Sequence, residues 1–124
     1  MIYTPQNWSE LKAELQNRRA KYGVGTEANP INLNDIDVSN VDNMNMLFTG
    51  RTQFSYIDIS QWNMSNATNT MGMFMGCKLL MSLGDISGWD ISNIENMKDM
   101  FKQCNVSIIP AWYDIVTHNK KETV

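Results

Sequence analysis

Few residues of this chain have the chemistry of a catalytic or metal site. The single histidine, His118, lies near the C-terminus, and no cysteine or serine is placed to act with it as a nucleophile. The two cysteines, Cys77 and Cys104, are too few for a zinc site, and we expect them to be reduced. Asp58 and Asp85 could face each other, but a calcium loop and a phosphate-binding glycine loop are both missing. The sequence therefore predicts no enzyme activity, no cofactor and no metal.

Two groups of charged residues remain as candidate binding sites. The first is acidic and contains Asp35, Asp37 and Asp90, which we expect on the solvent side of short strands, with Asp58 and Asp85 as further candidates. A stripe of carboxylates suits a basic partner surface, for example the groove of a nucleic-acid-binding enzyme. The alternative is that these residues only keep the sheet soluble.

The second group is basic and contains Arg18, Arg19 and Lys21, followed by the aromatic Tyr22. Such a cluster could contact RNA, or it could be the solvated face of a helix. The net charge of −3 and the pI near 5.0 argue against general attraction to nucleic acid or anionic membrane. The sequence alone therefore favours a protein partner, with nucleic acid as the alternative.

These residues are positioned by a block of sequence that occurs three times, at Asn32–Phe48, Asp58–Phe74 and Asp85–Phe101. The serines of the blocks, Ser39, Ser65 and Ser92, lie 26 and then 27 residues apart. A fixed period of this length is typical of stacked units that cannot bury their apolar sides alone.

Equivalent positions of the blocks are apolar and should form the core. They are Leu33, Ile59 and Ile86; Ile36, Trp62 and Trp89; Val38, Met64 and Ile91; and Phe48, Phe74 and Phe101. Each serine has the position of a helix N-cap, and the apolar spacing after it predicts a short amphipathic helix. The asparagines Asn40, Asn66 and Asn93 should hydrogen-bond either from block to block or to turn backbone groups.

The sequence therefore predicts an α/β repeat protein of three strand–helix units of about 26 residues, closed by helices at both ends. All 124 residues should form a single domain. Residues 1–30 would be an N-terminal capping helix and linker, 31–107 the three repeats, and 108–124 a C-terminal cap and tail. Thr4 and Pro5 should start the first helix and Gly23 should end it, while Pro110 should start the second.

The phrases DISxWDxSN and NMxxMF, with glycine and cysteine soon after the phenylalanine, resemble the BspA-like surface-protein repeat, also called the mycoplasma-type lipoprotein repeat. The resemblance covers about residues 31–105. It implies a right-handed solenoid related to leucine-rich repeats, and binding or adhesion rather than catalysis. Long members of that family are exported and have many repeats. We interpret this chain as a short version with three repeats and no export signal.

The first residues lack the basic stretch followed by an apolar run that is typical of a secretory signal. No apolar run is long enough to span a membrane. We therefore expect a cytoplasmic protein without membrane insertion, in the host cytoplasm if a phage encodes it. It would be extracellular only if an export signal had been removed.

The predicted function is a non-enzymatic module that binds another protein, as a monomer or weak homodimer. The most specific hypothesis is a phage- or mobile-element-type inhibitor of a host protein, such as a nucleic-acid-dependent defence enzyme, in the manner of an anti-CRISPR protein. One alternative is an adhesion or binding module of a bacterial surface protein. Another is a small RNA-binding protein that uses its N-terminal helix.

Overall fold

The computed structural model describes residues 2–106 and 109–121. Helix α1 spans Trp8–Tyr22, strand β1 spans Ile31–Asn32, a 3-10 turn spans Gly50–Thr52, and strand β2 spans Ile57–Asp58. Strands β3, Tyr113–Asp114, and β4, Asn119–Lys120, follow near the end of the described chain. Strands β1 and β2 are parallel, and β3 and β4 form an antiparallel hairpin. Ser107, at the end of the predicted repeats, and parts of the predicted C-terminal cap and tail (108 and 122–124) lie outside the described residues.

The predicted fold class is wrong. The described residues contain one α-helix and four two-residue strands in two small sheets, so the chain is neither a right-handed solenoid of strand–helix units nor leucine-rich-repeat-like. The segments after Ser39, Ser65 and Ser92, which were predicted to be helices, are turns. The expected helix at Pro110 is also absent, because residues 110–120 form turns and the β3–β4 hairpin.

Backbone conformation explains why the predicted helices do not form. Met46, Gly72 and Asp99 occupy equivalent places in the three blocks and have φ angles of 52°, 60° and 58°. A residue in the left-handed region interrupts a right-handed helix. Each of these three residues lies within a segment whose apolar spacing predicted a short helix. The apolar spacing correctly identified side chains that are buried, but the backbone that buries them forms tight turns and not a helix.

Asparagine side chains shape these turns. The N–H groups of Asn45, Met71 and Lys98 donate to the Oδ1 atoms of Asn43, Asn69 and Asn96 at 3.1, 2.9 and 3.0 Å. A side-chain oxygen that accepts a hydrogen bond from the backbone two residues later makes an Asx turn, which competes with helix formation. The same geometry corrects the predicted helix N-caps. The N–H groups of Ser39, Ser65 and Ser92 donate to Asp37, Asn63 and Asp90.

Helix α1 is present in the predicted region, but it begins at Trp8. Asn7 is its N-cap, because its side-chain oxygen accepts the Glu10 N–H at 2.9 Å, and Gly23 ends it with a φ of 79°. The buried side of the helix consists of Leu11 and Leu15, which are fully buried.

The three blocks of sequence contact one another at equivalent residues. Backbone N–H groups of one block donate to carbonyls of the next, as from Met44 to Asn69 at 2.7 Å and from Thr70 to Asn96 at 2.8 Å. The rings of Phe48, Phe74 and Phe101 stack with centroid distances of 5.0 and 5.3 Å. The predicted apolar positions are buried, apart from Ile91, which is half-buried.

Candidate functional site

A concave surface lies beside strand β2, and we call it the β2 groove. It has a volume of about 700 Å³ and lies between two neighbouring stretches of chain, 56–58 and 81–87. Its lining includes Glu27, Tyr56, Asp58, Met81, Asp85 and Pro110. A volume of several hundred Å³ is in the range of sites that hold a ligand or an anchoring side chain of a partner.

The two stretches are held side by side by the backbone. The Ile57 N–H donates to the Ser82 carbonyl at 3.1 Å, and the Ile59 N–H donates to the Leu83 carbonyl at 3.0 Å. Side chains alternate along such extended chain, so the buried Ile57 and Ile59 point into the core. Tyr56 and Asp58, which line the groove, are only partly buried.

The groove is acidic. Glu27, Asp58 and Asp85 line it, and the described lining residues include no lysine, arginine or histidine. Hydrogen bonds from the Ser87 side chain and backbone hold the pKa of Asp85 below its ordinary value. Burial raises the pKa of Asp58, but hydrogen bonds from Ser60 outweigh this and leave it lowered. Both aspartates are therefore ionised at neutral pH.

Gly84 shapes the acidic part of the groove. It has a φ of 77°, and a Cβ atom at this position would lie 2.6 Å from Asp58 Oδ1. Gly84 lies between the matched pairs Ile57–Leu83 and Ile59–Ile86, which are 26 and 27 residues apart. It is thus the extra residue that lengthens the second period. Because Gly84 has no side chain, its backbone can lie close to the Asp58 carboxylate.

Apolar atoms are exposed in the same groove. Met81 is 43% exposed although it is a large hydrophobic residue, and Tyr56, Pro30, Val106 and Pro110 also line the groove. A concave surface that combines exposed apolar atoms with carboxylates is suited to a partner with both apolar and basic groups.

The predicted acidic residues do not form one site. Arg18 binds Asp35 through two parallel hydrogen bonds, Nη1 to Oδ1 at 2.7 Å and Nη2 to Oδ2 at 2.9 Å. Asp37 and Asp90 accept the N–H groups of Ser39 and Ser92 in Asx turns. None of the three aspartates lines the β2 groove, where Asp58 and Asp85, the two further candidates, are found.

The predicted basic residues are used mainly within the chain. Besides Asp35, Arg18 also binds Glu14, with Nε and Oε2 2.7 Å apart. Arg19 Nε donates to the Gln53 carbonyl at 2.8 Å. Lys21 is exposed, and its Nζ lies 5.2 Å from the centre of the Tyr22 ring. The three residues therefore do not form a free basic patch.

The backbone of His118 and the thiol of Cys77 take part in hydrogen bonds within the chain. The His118 carbonyl accepts the Asp99 N–H at 2.8 Å. Both cysteines are free thiols, and burial raises the pKa of Cys77 to about 12, so its reactive thiolate is suppressed. Within the described residues, no group of three metal-binding side chains occurs.

In the described part of the chain, no helix has the length and apolar character needed to cross a membrane.

A family model matches residues 18–112, which is most of the chain and includes both sides of the β2 groove. The chain belongs to the family described as Mycoplasma protein of unknown function, DUF285. No curated protein and no solved structure matches the chain.

The sequence interpretation missed the groove itself. Its walls include Glu27, Pro30, Val106 and Pro110, which are not in the repeated blocks and have no shared pattern with them. One signal was visible in the sequence, because the change of period from 26 to 27 residues marks the insertion at Gly84.

Proposed function

We propose that this protein is a non-enzymatic binding module that holds a segment of another protein in the β2 groove. The observation that carries the proposal is the exposed apolar lining of a concave surface of about 700 Å³, with Met81 43% exposed. Isolated exposed apolar side chains are ordinary, but an apolar concavity with a polar rim is a common form of interaction site.

Two features support a binding role rather than a catalytic one. Two of the groove carboxylates, those of Asp58 and Asp85, have lowered pKa values, so they are poor proton donors at neutral pH. The groove is also built on backbone hydrogen bonds between 57–59 and 82–83, which gives a preformed surface.

A photo-crosslinking experiment tests the proposal. A photoreactive phenylalanine derivative is placed at Met81, in the groove, or at Leu79, which is 49% exposed but does not line it. The two sites differ little in exposure, so they form a matched pair. After irradiation in an extract of the native cells, we expect a discrete protein adduct from position 81, suppressed by excess unmodified protein, and none from position 79. Equal adducts from both positions, or an adduct from position 79 alone, would contradict the proposal.

We also propose that the chain is a three-repeat version of the BspA-like surface-protein repeat. The support is the recurrence of tryptophan, serine, asparagine, methionine and phenylalanine at fixed places, together with the membership of the mycoplasma-type family. Adhesion by a bacterial surface protein is then the second candidate function, and it would use the same groove. The crosslinked partner decides between them, since an adduct formed only in an extract of the cells to which the bacterium attaches would favour adhesion.

Several earlier predictions remain predictions. They are the phage-type inhibition of a host defence enzyme, the basic nucleic-acid-binding partner, the monomeric or weakly dimeric state and the cytoplasmic location. The RNA-binding alternative also remains a prediction. Arg18 and Arg19 hydrogen-bond to Asp35, Glu14 and the Gln53 carbonyl, whereas Lys21 and Tyr22 of the same group are exposed.

A further inference from the structure

The β2 groove has a charge pattern that specifies the chemistry of its occupant. Three carboxylates line it and no described lining residue is basic, so an occupant with basic side chains is favoured and one with acidic side chains is repelled.

The spacing of the groove residues adds a second constraint. Tyr56 and Asp58 are two residues apart in extended chain, which corresponds to about 6.5 Å. Met81 lies next to this row on the apolar side, because its N–H donates to the Ser55 carbonyl at 2.7 Å. Asp85 lies two residues beyond Leu83, whose carbonyl accepts the Ile59 N–H. Tyr56 and Met81 therefore lie at one end of this row, and Asp58 and Asp85 lie at the other.

We infer that the occupant is an extended segment of a partner protein with an apolar side chain and a lysine or arginine two residues apart. In extended chain, residues i and i+2 lie on one face at the same spacing as Tyr56 and Asp58. The apolar side chain packs against Tyr56 and Met81, and the cation pairs with Asp58 and Asp85. This inference rests on the proposed function, since it names the class of segment that the groove holds.

The probes are three acetylated and amidated pentapeptides, TLTKT, TLTET and TLKTT. The first has the proposed spacing, the second reverses the charge, and the third places the basic residue next to the apolar one. Binding is measured from backbone amide shifts in nuclear magnetic resonance spectra. We expect TLTKT to bind with a dissociation constant on the order of 1 mM or tighter. The shifts should include the amides of Asp58, Ser82 and Ser87, and added salt should weaken binding.

A matched pair of variants separates groove charge from total charge. The groove variant is E27Q/D58N/D85N, and the control is D37N/D90N/D114N, whose three aspartates do not line the groove. In both variants each asparagine retains the oxygen that accepts the N–H two residues later, so the Asx turns persist. The groove variant should bind TLTKT about fivefold more weakly, and the control should be within about twofold of the unaltered protein.

The result that supports the inference is tighter binding of TLTKT than of both other peptides, with the loss confined to the groove variant. Equal binding of TLTKT and either of the other two peptides, an equal loss in the control variant, shifts located elsewhere, or no shift with TLTKT at about 10 mM would each overturn it. If position 81 still crosslinks to a partner in any of these cases, the proposed function stands and only the inferred segment is wrong. If the crosslink also fails, both are wrong.

Discussion

Aspartate and asparagine side chains determine much of the local backbone in this protein. Asp37, Asp58, Asp85 and Asp90 each accept the N–H of the serine two residues later. The phrase D-x-S could be interpreted as a free acid before a helix N-cap or as an Asx turn, and the two differ only in backbone conformation. The sequence could therefore locate these residues near the surface, but it could not show that their carboxylates already have partners.

Asp35 allows a test of pH dependence at the residue scale. The hydrogen bonds from Arg18 hold the pKa of Asp35 below its ordinary value of 3.8. A carboxyl whose pKa is lower in the folded state stabilises the fold above its unfolded pKa, and this contribution is lost as the pH falls through the folded value. We expect the variant D35N to lose less stability than the unaltered protein between pH 7 and pH 3, measured by urea unfolding. Equal losses in the two proteins would show that the Arg18–Asp35 pair contributes nothing to folding.

At the scale of elements, helix α1 supplies hydrogen-bond donors to the first block. Hydrogen bonds between the first two blocks run in both directions, since Met44 donates to the Asn69 carbonyl and Thr68 donates to the Asp42 carbonyl. Helix α1 adds donors for carbonyls at the end of the first block and just after it. Trp8 Nε1 donates to the Asn45 carbonyl at 2.9 Å, and Lys12 Nζ donates to the Leu47 and Thr49 carbonyls, both at 2.7 Å. The sequence predicts a helix that covers the first block with its apolar side. It does not predict that Trp8 and Lys12 donate to backbone carbonyls, because those partners depend on the tertiary structure.

Lys12 should therefore contribute more to stability than an ordinary surface lysine. Burial lowers its pKa, and its Nζ also donates to Thr52 Oγ1 at 2.8 Å. In K12M the Thr52 hydroxyl, which can donate one hydrogen bond, is the side-chain donor that remains for both the Leu47 and the Thr49 carbonyl. We therefore expect a cost of about 1–3 kcal/mol in the free energy of unfolding. The control is K21M on the exposed side of the same helix, which should change stability by less than about 0.5 kcal/mol. A K12M protein as stable as K21M would refute the role of Lys12.

The insertion at Gly84 gives a second prediction at the element scale. In G84A, the new Cβ would meet the Asp58 carboxylate at a backbone φ that side chains rarely adopt. We expect G84A to be destabilised by at least about 1 kcal/mol and its groove amides to shift. Gly88 is the matched control, since a Cβ there has no atom within 4 Å. The account of the groove would be contradicted if thermal unfolding showed G84A and G88A to be equally stable.

At the scale of the whole molecule, the stacked phenylalanines join the three blocks. Phe74 is fully buried between Phe48 and Phe101. Truncation in F74A should cost about 3–5 kcal/mol, which is the usual cost of removing a buried phenylalanine. Urea unfolding measures this cost directly. A loss below about 1 kcal/mol would mean that the stack is not a main part of the core.

The core could be predicted from the sequence because the same apolar pattern occurs three times, so that each block confirms the others. Leu33, Ile59 and Ile86 were identified in this way, and all three are buried. The fold class could not be predicted, since the apolar spacing is the same in a short helix and in the turns at Met46, Gly72 and Asp99. The groove could not be predicted either, because its lining residues lie before, within and after the blocks.

The proposed binding of a partner segment with apolar and basic side chains in the β2 groove can be tested directly. The most direct measurement is competition for the crosslink formed from position 81 by the peptides TLTKT and TLTET. We predict that TLTKT, at several times its dissociation constant, removes most of the adduct, whereas TLTET at the same concentration leaves it unchanged. An adduct that persists in saturating TLTKT, or that both peptides remove equally, would contradict the claim.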